Sequence, residues 1–236
     1  LDRGNNTGSA TRQVMTNVTV VHWRGEAFKS IDGNTNGSID IQHCLFGDIC
    51  ATALNIYPRW NIRNNVFSNC WQVTEYYQKY YRGAAYFCNN LITNDSSLSK
   101  SGYFGNAISI NGGIASASPL IIQSNTIYSG AYGYNVFIAT PAANVSFLNN
   151  VIYGAGYNVI FNIGAPGAQG TDCNTNIVIA SNSVYDTNKI TGFVEFGGSG
   201  LTAVNGLTIT NNYIHSDVQV QNGILNYGVN YANVVF

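Results

Sequence analysis

Apolar and polar positions along this chain fall into a repeated phrase, not a helical stripe. Two apolar residues at alternate positions precede a polar pair ending in Asn, and another apolar residue follows two places on. Trp60-Asn61-Ile62-Arg63-Asn64-Asn65-Val66-Phe67 states the phrase, and residues 120–127, 145–152, 177–184 and 207–214 repeat it. Residues 85–92 match more loosely with Asn90 in place; 39–46 carry Cys44 at the Asn position, and the stretch from Val18 carries Trp23 there. Alternation with a period of two predicts strands. A second strand is expected after each phrase, at 27–30, 53–56, 107–110, 135–138, 158–161, 193–196 and 223–226.

The Asn column runs Trp23, Cys44, Asn65, Asn90, Asn125, Asn150, Asn182, Asn212, at unequal spacings. A constant phrase with variable spacing predicts constant coils joined by variable loops. The expected fold is all-β, a right-handed parallel β-helix (a solenoid) of about eight to nine coils forming one domain over 1–236. Asn recurring at one turn position predicts a ladder of side-chain amides bonded from coil to coil. Val234-Val235-Phe236 reads as the opening strand of another coil and no capping helix is evident, so the chain reads as a fragment or uncapped module of a longer β-helix.

The pattern I-x-I-x-N-N-x-I followed by G-x-x-I-x-I resembles the repeat of the pectin-lyase-like superfamily, over nearly the whole chain. The resemblance implies architecture but not activity, because that fold hosts polysaccharide lyases, glycoside hydrolases, phage tailspikes, adhesins and cell-surface proteins. Neither the Asn-Thr-Asp, Asp-Asp and His-Gly motifs of polygalacturonases nor the Trp-Ile-Asp-His of pectate lyases occurs. The generic repeat is also similar to the β-helix regions of large fibrocystin-like cell-surface proteins.

Charged residues are only 9% of the chain and the net charge is -1, which gives no electrostatic reason to expect nucleic acid or an anionic membrane as partner. No apolar run approaches the ~20 residues of a membrane helix. No cofactor is implied, and the 5 cysteines show no metal-ligand spacing. Cys50 and Cys70 lie at similar places in adjacent coils and are the expected disulfide, which points to an oxidising compartment. Asn5, Asn17, Asn36, Asn94 and Asn144 each begin an N-x-S/T site and permit a glycosylated, extracellular or cell-surface reading.

Stacking the repeats brings particular side chains to adjacent coils. On the outer face of the first strand the expected columns are Thr19, Asp40, Asn61, Tyr86 and Val21, Gln42, Arg63, Cys88, making Asp40 and Arg63 diagonal neighbours. His22 and His43 are expected to stack beside the Asn column. Asp40, Arg63, His22 and His43 are therefore the candidates for acid–base work on a glycan; the plainer account is a surface ion pair beside two turn histidines. The segment Trp71, Glu75, Tyr76, Tyr77, Lys79, Tyr80, Tyr81, Arg82 combines aromatic faces with polar groups, which suits glycan binding and equally an interface or a covering loop. The outward column of the second strand reads Lys29, Asn55, Ser109, Phe137, Ile160, Glu195, Leu225. Phe137, Ile160 and Leu225, with Tyr57 and Tyr227, are interface candidates.

Two functions follow. One is a non-catalytic structural or recognition module of an extracellular or surface-exposed assembly, its partners being other chains, further coils of its own chain, or a glycan. The other is a carbohydrate-active β-helix: a lyase, a hydrolase or a tailspike-like protein.

Overall fold

The computed structural model describes residues 12–29, 38–56, 59–77, 83–94, 105–111, 118–128, 136–138, 142–154, 159–163, 173–186, 192–196, 203–216, 222–226 and 230–235. Among these the regular structure is strand alone, without helix, and no helix is long and apolar enough to cross a membrane.

The strands form three parallel sheets, of 9, 8 and 8 strands. Consecutive strands go to the three sheets in turn, so each cycle of three adds one strand to each sheet. Sheet A begins with Arg12–Thr16, Ser38–Gln42, Arg59–Arg63 and Ala85–Cys88. Sheet B includes Thr19–Trp23, Leu45–Ile49, Val66–Ser68, Leu91–Thr93, Thr126–Tyr128, Val151–Tyr153, Ser183–Asp186 and Tyr213–Ser216. Sheet C includes Phe28–Lys29, Thr52–Ile56, Gln72–Tyr77, Ile108–Asn111 and Val159–Ile163.

The polar pair of the repeated phrase forms the corner between sheets A and B, and its two residues do different work. His43, Asn64, Asn89, Ser124, Asn149, Ser181 and Asn211 all adopt left-handed backbone, with φ between 53 and 57°. That conformation bends the chain sharply at one residue, and Asn tolerates it better than most residues. The next residue points inward. There the amides of Asn65, Asn90, Asn125, Asn150, Asn182 and Asn212 form the ladder: each Oδ1 from Asn90 onward accepts the backbone N–H and the Nδ2 of the Asn one cycle earlier, at 2.9 to 3.1 Å. Each Nδ2 also donates to a strand carbonyl of the preceding cycle, as Asn125 does to Phe87 at 2.9 Å. A buried amide is thereby satisfied at every polar position, which removes the penalty of burying it. Cys44 heads the ladder and needs only its backbone N–H, which donates to Asn65 Oδ1 at 2.9 Å.

Inside, apolar residues of the three sheets meet. Phe46 and Phe67 stack at 5.1 Å, and Trp60 lies 5.1 Å from Tyr76 and 5.9 Å from Phe87. Each such side chain contributes roughly 1.5–3 kcal/mol through burial.

The first cycle differs from the sequence-based register. Leu45 N–H donates to Val18 O as Val66 N–H does to Cys44 O, so Val18, not Trp23, heads the column. Trp23 lies in sheet B in register with Ile49. Asn17 holds the left-handed corner, but with no Asn after it at the ladder position the apolar alternation around Val18 gave no marker of where sheet A ended and sheet B began.

Candidate functional site

Sheet A carries three outward columns at its N-terminal end. The strand register sets Val14, Asp40, Asn61 and Tyr86 in one, Thr16, Gln42, Arg63 and Cys88 in the next, and Arg12, Ser38 and Arg59 in the third. A groove of about 470 Å³ opens over them, lined chiefly by Arg12, Asp40, Arg59, Asn61, Arg63 and Tyr86. Arg12 Nε meets Asp40 Oδ2 at 2.5 Å. Arg63 Nε donates to Asn61 Oδ1, and its guanidinium sits 5.4 Å from the centre of the Tyr86 ring, a cation–π distance.

Three guanidiniums against one carboxylate make the groove cationic on a chain whose net charge is -1. Guanidinium forks match carboxylate, sulfate and phosphate groups in geometry as well as charge. Asp40 already holds Arg12 and is committed as an acceptor. Canonical glycoside hydrolysis uses a pair of carboxylates; the groove lining supplies one. Cys88, beside Arg63 in register, has its thiol pKa raised by burial against the lowering effect of that arginine, so at neutral pH it is a thiol and a poor nucleophile. The arrangement is suited to holding an anion.

The structure places Asp40, Asn61, Tyr86, Gln42, Arg63 and Cys88 in the columns expected for them. Val14 and Thr16 take the places expected for Thr19 and Val21, and the ion-pair partner of Asp40 is Arg12, not Arg63. The two histidines separate. His43 is at the sheet A–B corner, whereas His22 follows Val21 in sheet B with its Nδ1 3.0 Å from Asp48 Oδ2.

Cys50 and Cys70 are free thiols. Trp71 N–H donates to Ile49 O and Cys50 N–H to Trp23 O, so Trp71 stacks over Cys50 while Cys70 stacks over Ile49. An offset of one residue puts the two thiols on opposite faces: Cys50 is exposed and Cys70 buried, its pKa pushed up to about 12 mainly by desolvation.

The aromatic segment is partly a strand of sheet C. Tyr76 is in the core against Trp60, which removes it from any glycan surface. Glu75 is half-buried between Asn55 and Ser109 in the outward column, Trp71 is exposed, and Tyr77 is in register with Asn111. Lys79, Tyr80, Tyr81 and Arg82 lie outside the described residues, as do Tyr57, Tyr227, Asn5 and Asn36. Ile160 is fully buried, and the residue in register with Phe137 and Glu195 is Asn162. The strand Val159–Ile163 sits two residues further along than its apolar run suggested. Leu225 is in register with Glu195. Asn17 is exposed, Asn144 accepts from Asn176 Nδ2 at 2.5 Å, and both side-chain polar atoms of Asn94 are enclosed.

Two features escaped the sequence reading. Arg12 and Arg59 join the groove from strand starts, where the repeated phrase has no marker. On sheet B, Tyr128, Tyr153, Tyr185 and His215 occupy one register column and form an exposed row of rings. Each is the third residue after a ladder Asn, a signal present in the sequence. No protein-family model matches the chain, and no curated protein or solved structure matches it.

Proposed function

We propose that the three parallel sheets are the faces of a right-handed parallel β-helix of about eight to nine coils. On this reading the chain is a non-catalytic recognition module of an extracellular or surface-exposed assembly. Its function is to hold an acidic glycan in the sheet A groove, with further coils or other chains as its structural partners. The observation that carries the proposal is the set of Arg12, Arg59 and Arg63 around a single, already paired Asp40. Asn61 and Tyr86 fix the Arg63 side chain, so little side-chain entropy is lost when a carboxylate docks. Polysaccharide cleavage, the competing activity, would need a free acid or base that Asp40 in its pairing with Arg12 does not offer.

Calorimetric titration with an oligogalacturonate and with a neutral cello-oligosaccharide tests this. The acidic ligand is expected to bind and the neutral one not, with affinity falling as salt rises and dropping about tenfold in Arg63→Ala, as loss of one charge-assisted contact of ~1.4 kcal/mol implies. Equal affinity for both sugars, or no binding, overturns the proposal, and shortening of the acidic oligomer would establish cleavage instead.

A further inference from the structure

On the outer face of sheet C, an amine, a carboxamide and two carboxylates meet around the first strand pair. Lys29 and Asn55 are direct neighbours in register on adjacent parallel strands, at the ~4.8 Å spacing of a sheet. Glu26 touches both: Lys29 Nζ is 2.9 Å from its Oε2, and Asn55 Nδ2 donates to its Oε1 at 2.6 Å. A second carboxylate, Glu75 on the next strand, lies 3.5 Å from the same Asn55 Nδ2. Asn55 is buried, and its Oδ1 is enclosed without a hydrogen-bond partner among the described residues. A salt bridge alone would need neither the buried carboxamide nor the second acid. The carboxamide nitrogen held between two acids is placed as a leaving group, and the amine held on one of them is placed as a nucleophile.

We propose that Lys29 and Asn55 form an intramolecular isopeptide bond, with Glu26 as the proton-transfer residue and Glu75 assisting departure of the amide nitrogen. Glu26 takes a proton from the Lys29 ammonium, and the freed amine attacks Cγ of Asn55, forming the Nζ–Cγ bond. The Cγ–Nδ2 bond then breaks. Of the three ammonium protons, one stays on the new amide nitrogen; two pass through the carboxylates to Nδ2, which leaves as ammonium carrying the positive charge. No oxidant, reductant or co-reactant is required. The product ties the first two strands of sheet C together covalently, where among the described residues the first strand, Phe28–Lys29, has two residues.

Intact-mass measurement of the denatured full chain, followed by tryptic mapping, tests the proposal. The expected mass is one ammonia below that of the sequence. Trypsin cuts after Lys29 in the unlinked chain and releases 25–29 from 30–59; the linked chain is expected to yield a single looped peptide, 25–59, whose fragmentation joins Lys29 to Asn55. Lys29→Arg, Asn55→Ala and Glu26→Gln are each expected to restore the full sequence mass, with the far-ultraviolet circular dichroism of each variant confirming that it folds. A full sequence mass in the wild type, with 25–29 and 30–59 recovered separately, overturns the proposal. So does an ammonia loss that maps elsewhere or is reversed by mild alkali, which identifies a succinimide at an Asn-Gly step such as Asn205-Gly206.

Discussion

Tyr128 and Tyr153 lie one cycle apart on sheet B with ring centroids 4.7 Å apart and ring planes within 9° of parallel. Tyr185 continues the row, 5.4 Å from Tyr153 at 19°, and the three rings remain 44, 38 and 37% exposed. Their faces are turned toward one another along the row, so solvent meets ring edges. That geometry disfavours stacking of sugar rings on these tyrosines and makes the row a stabilising feature of the sheet.

Tyr153 contacts a ring on each side, whereas Tyr128 has a single ring neighbour in the row. At about 0.5–1.5 kcal/mol per aromatic pair, Tyr153→Ala is expected to lower unfolding free energy by roughly 1–3 kcal/mol and Tyr128→Ala by about half as much. Urea titration of both variants checks the ratio; equal losses would show that burial, not stacking, sets the cost.

Asn125 sits mid-ladder with no exposed surface. Removing its amide leaves the backbone N–H of Asn90 without its acceptor, takes one of two acceptors from Asn90 Nδ2, and removes the Nδ2 donor to Phe87 O, while Asn150 Oδ1 keeps the backbone N–H of residue 125. With buried unsatisfied groups costing about 1–3 kcal/mol each, Asn125→Ala is expected to destabilise the chain by more than about 3 kcal/mol. Asn212→Ala, half-buried at the far end, is expected to cost less. Chemical denaturation of the two, side by side, is the check.

Thr74 occupies an inward position of sheet C between Leu54 and Ile108. Its hydroxyl is buried without a hydrogen-bond partner among the described residues. Thr74→Val replaces that hydroxyl with a methyl of similar size and is expected to stabilise the fold by about 1 kcal/mol, read as a rise in the urea midpoint.

Burial raises the pKa of Glu195 above its ordinary 4.5. The folded chain therefore holds this proton more tightly than the unfolded one. The resulting contribution to stability is fully present below about pH 4.5 and is lost as pH rises through the higher folded value. Glu195→Gln, which stays neutral, is expected to gain stability relative to wild type at pH 7 and to lose that advantage at pH 4. Denaturation midpoints for both chains at the two pH values decide it; a gain independent of pH would mean that the charge is not the cause.

Periodicity in the sequence was enough to specify the all-β class, the parallel recurrence of strands and the Asn ladder. All three depend on local alternation and on one turn position where the backbone needs a left-handed residue followed by a buried amide. Asp40, Asn61, Arg63 and Tyr86 were legible as neighbours for the same reason, since a shared phrase aligns them. Where the phrase lacked its Asn, as around Val18, no residue marked the ladder position; where an apolar run offered two registers, as at Ile160, alternation could not choose, because a shift of two residues leaves the pattern of faces unchanged. The meeting of Arg12 with Asp40, the separation of Cys50 from Cys70, and the convergence of Lys29, Asn55, Glu26 and Glu75 depend on backbone hydrogen bonds between cycles and on side-chain reach. Most of those relations join residues twenty or more positions apart through loops of unequal length, and only the tertiary structure decided them.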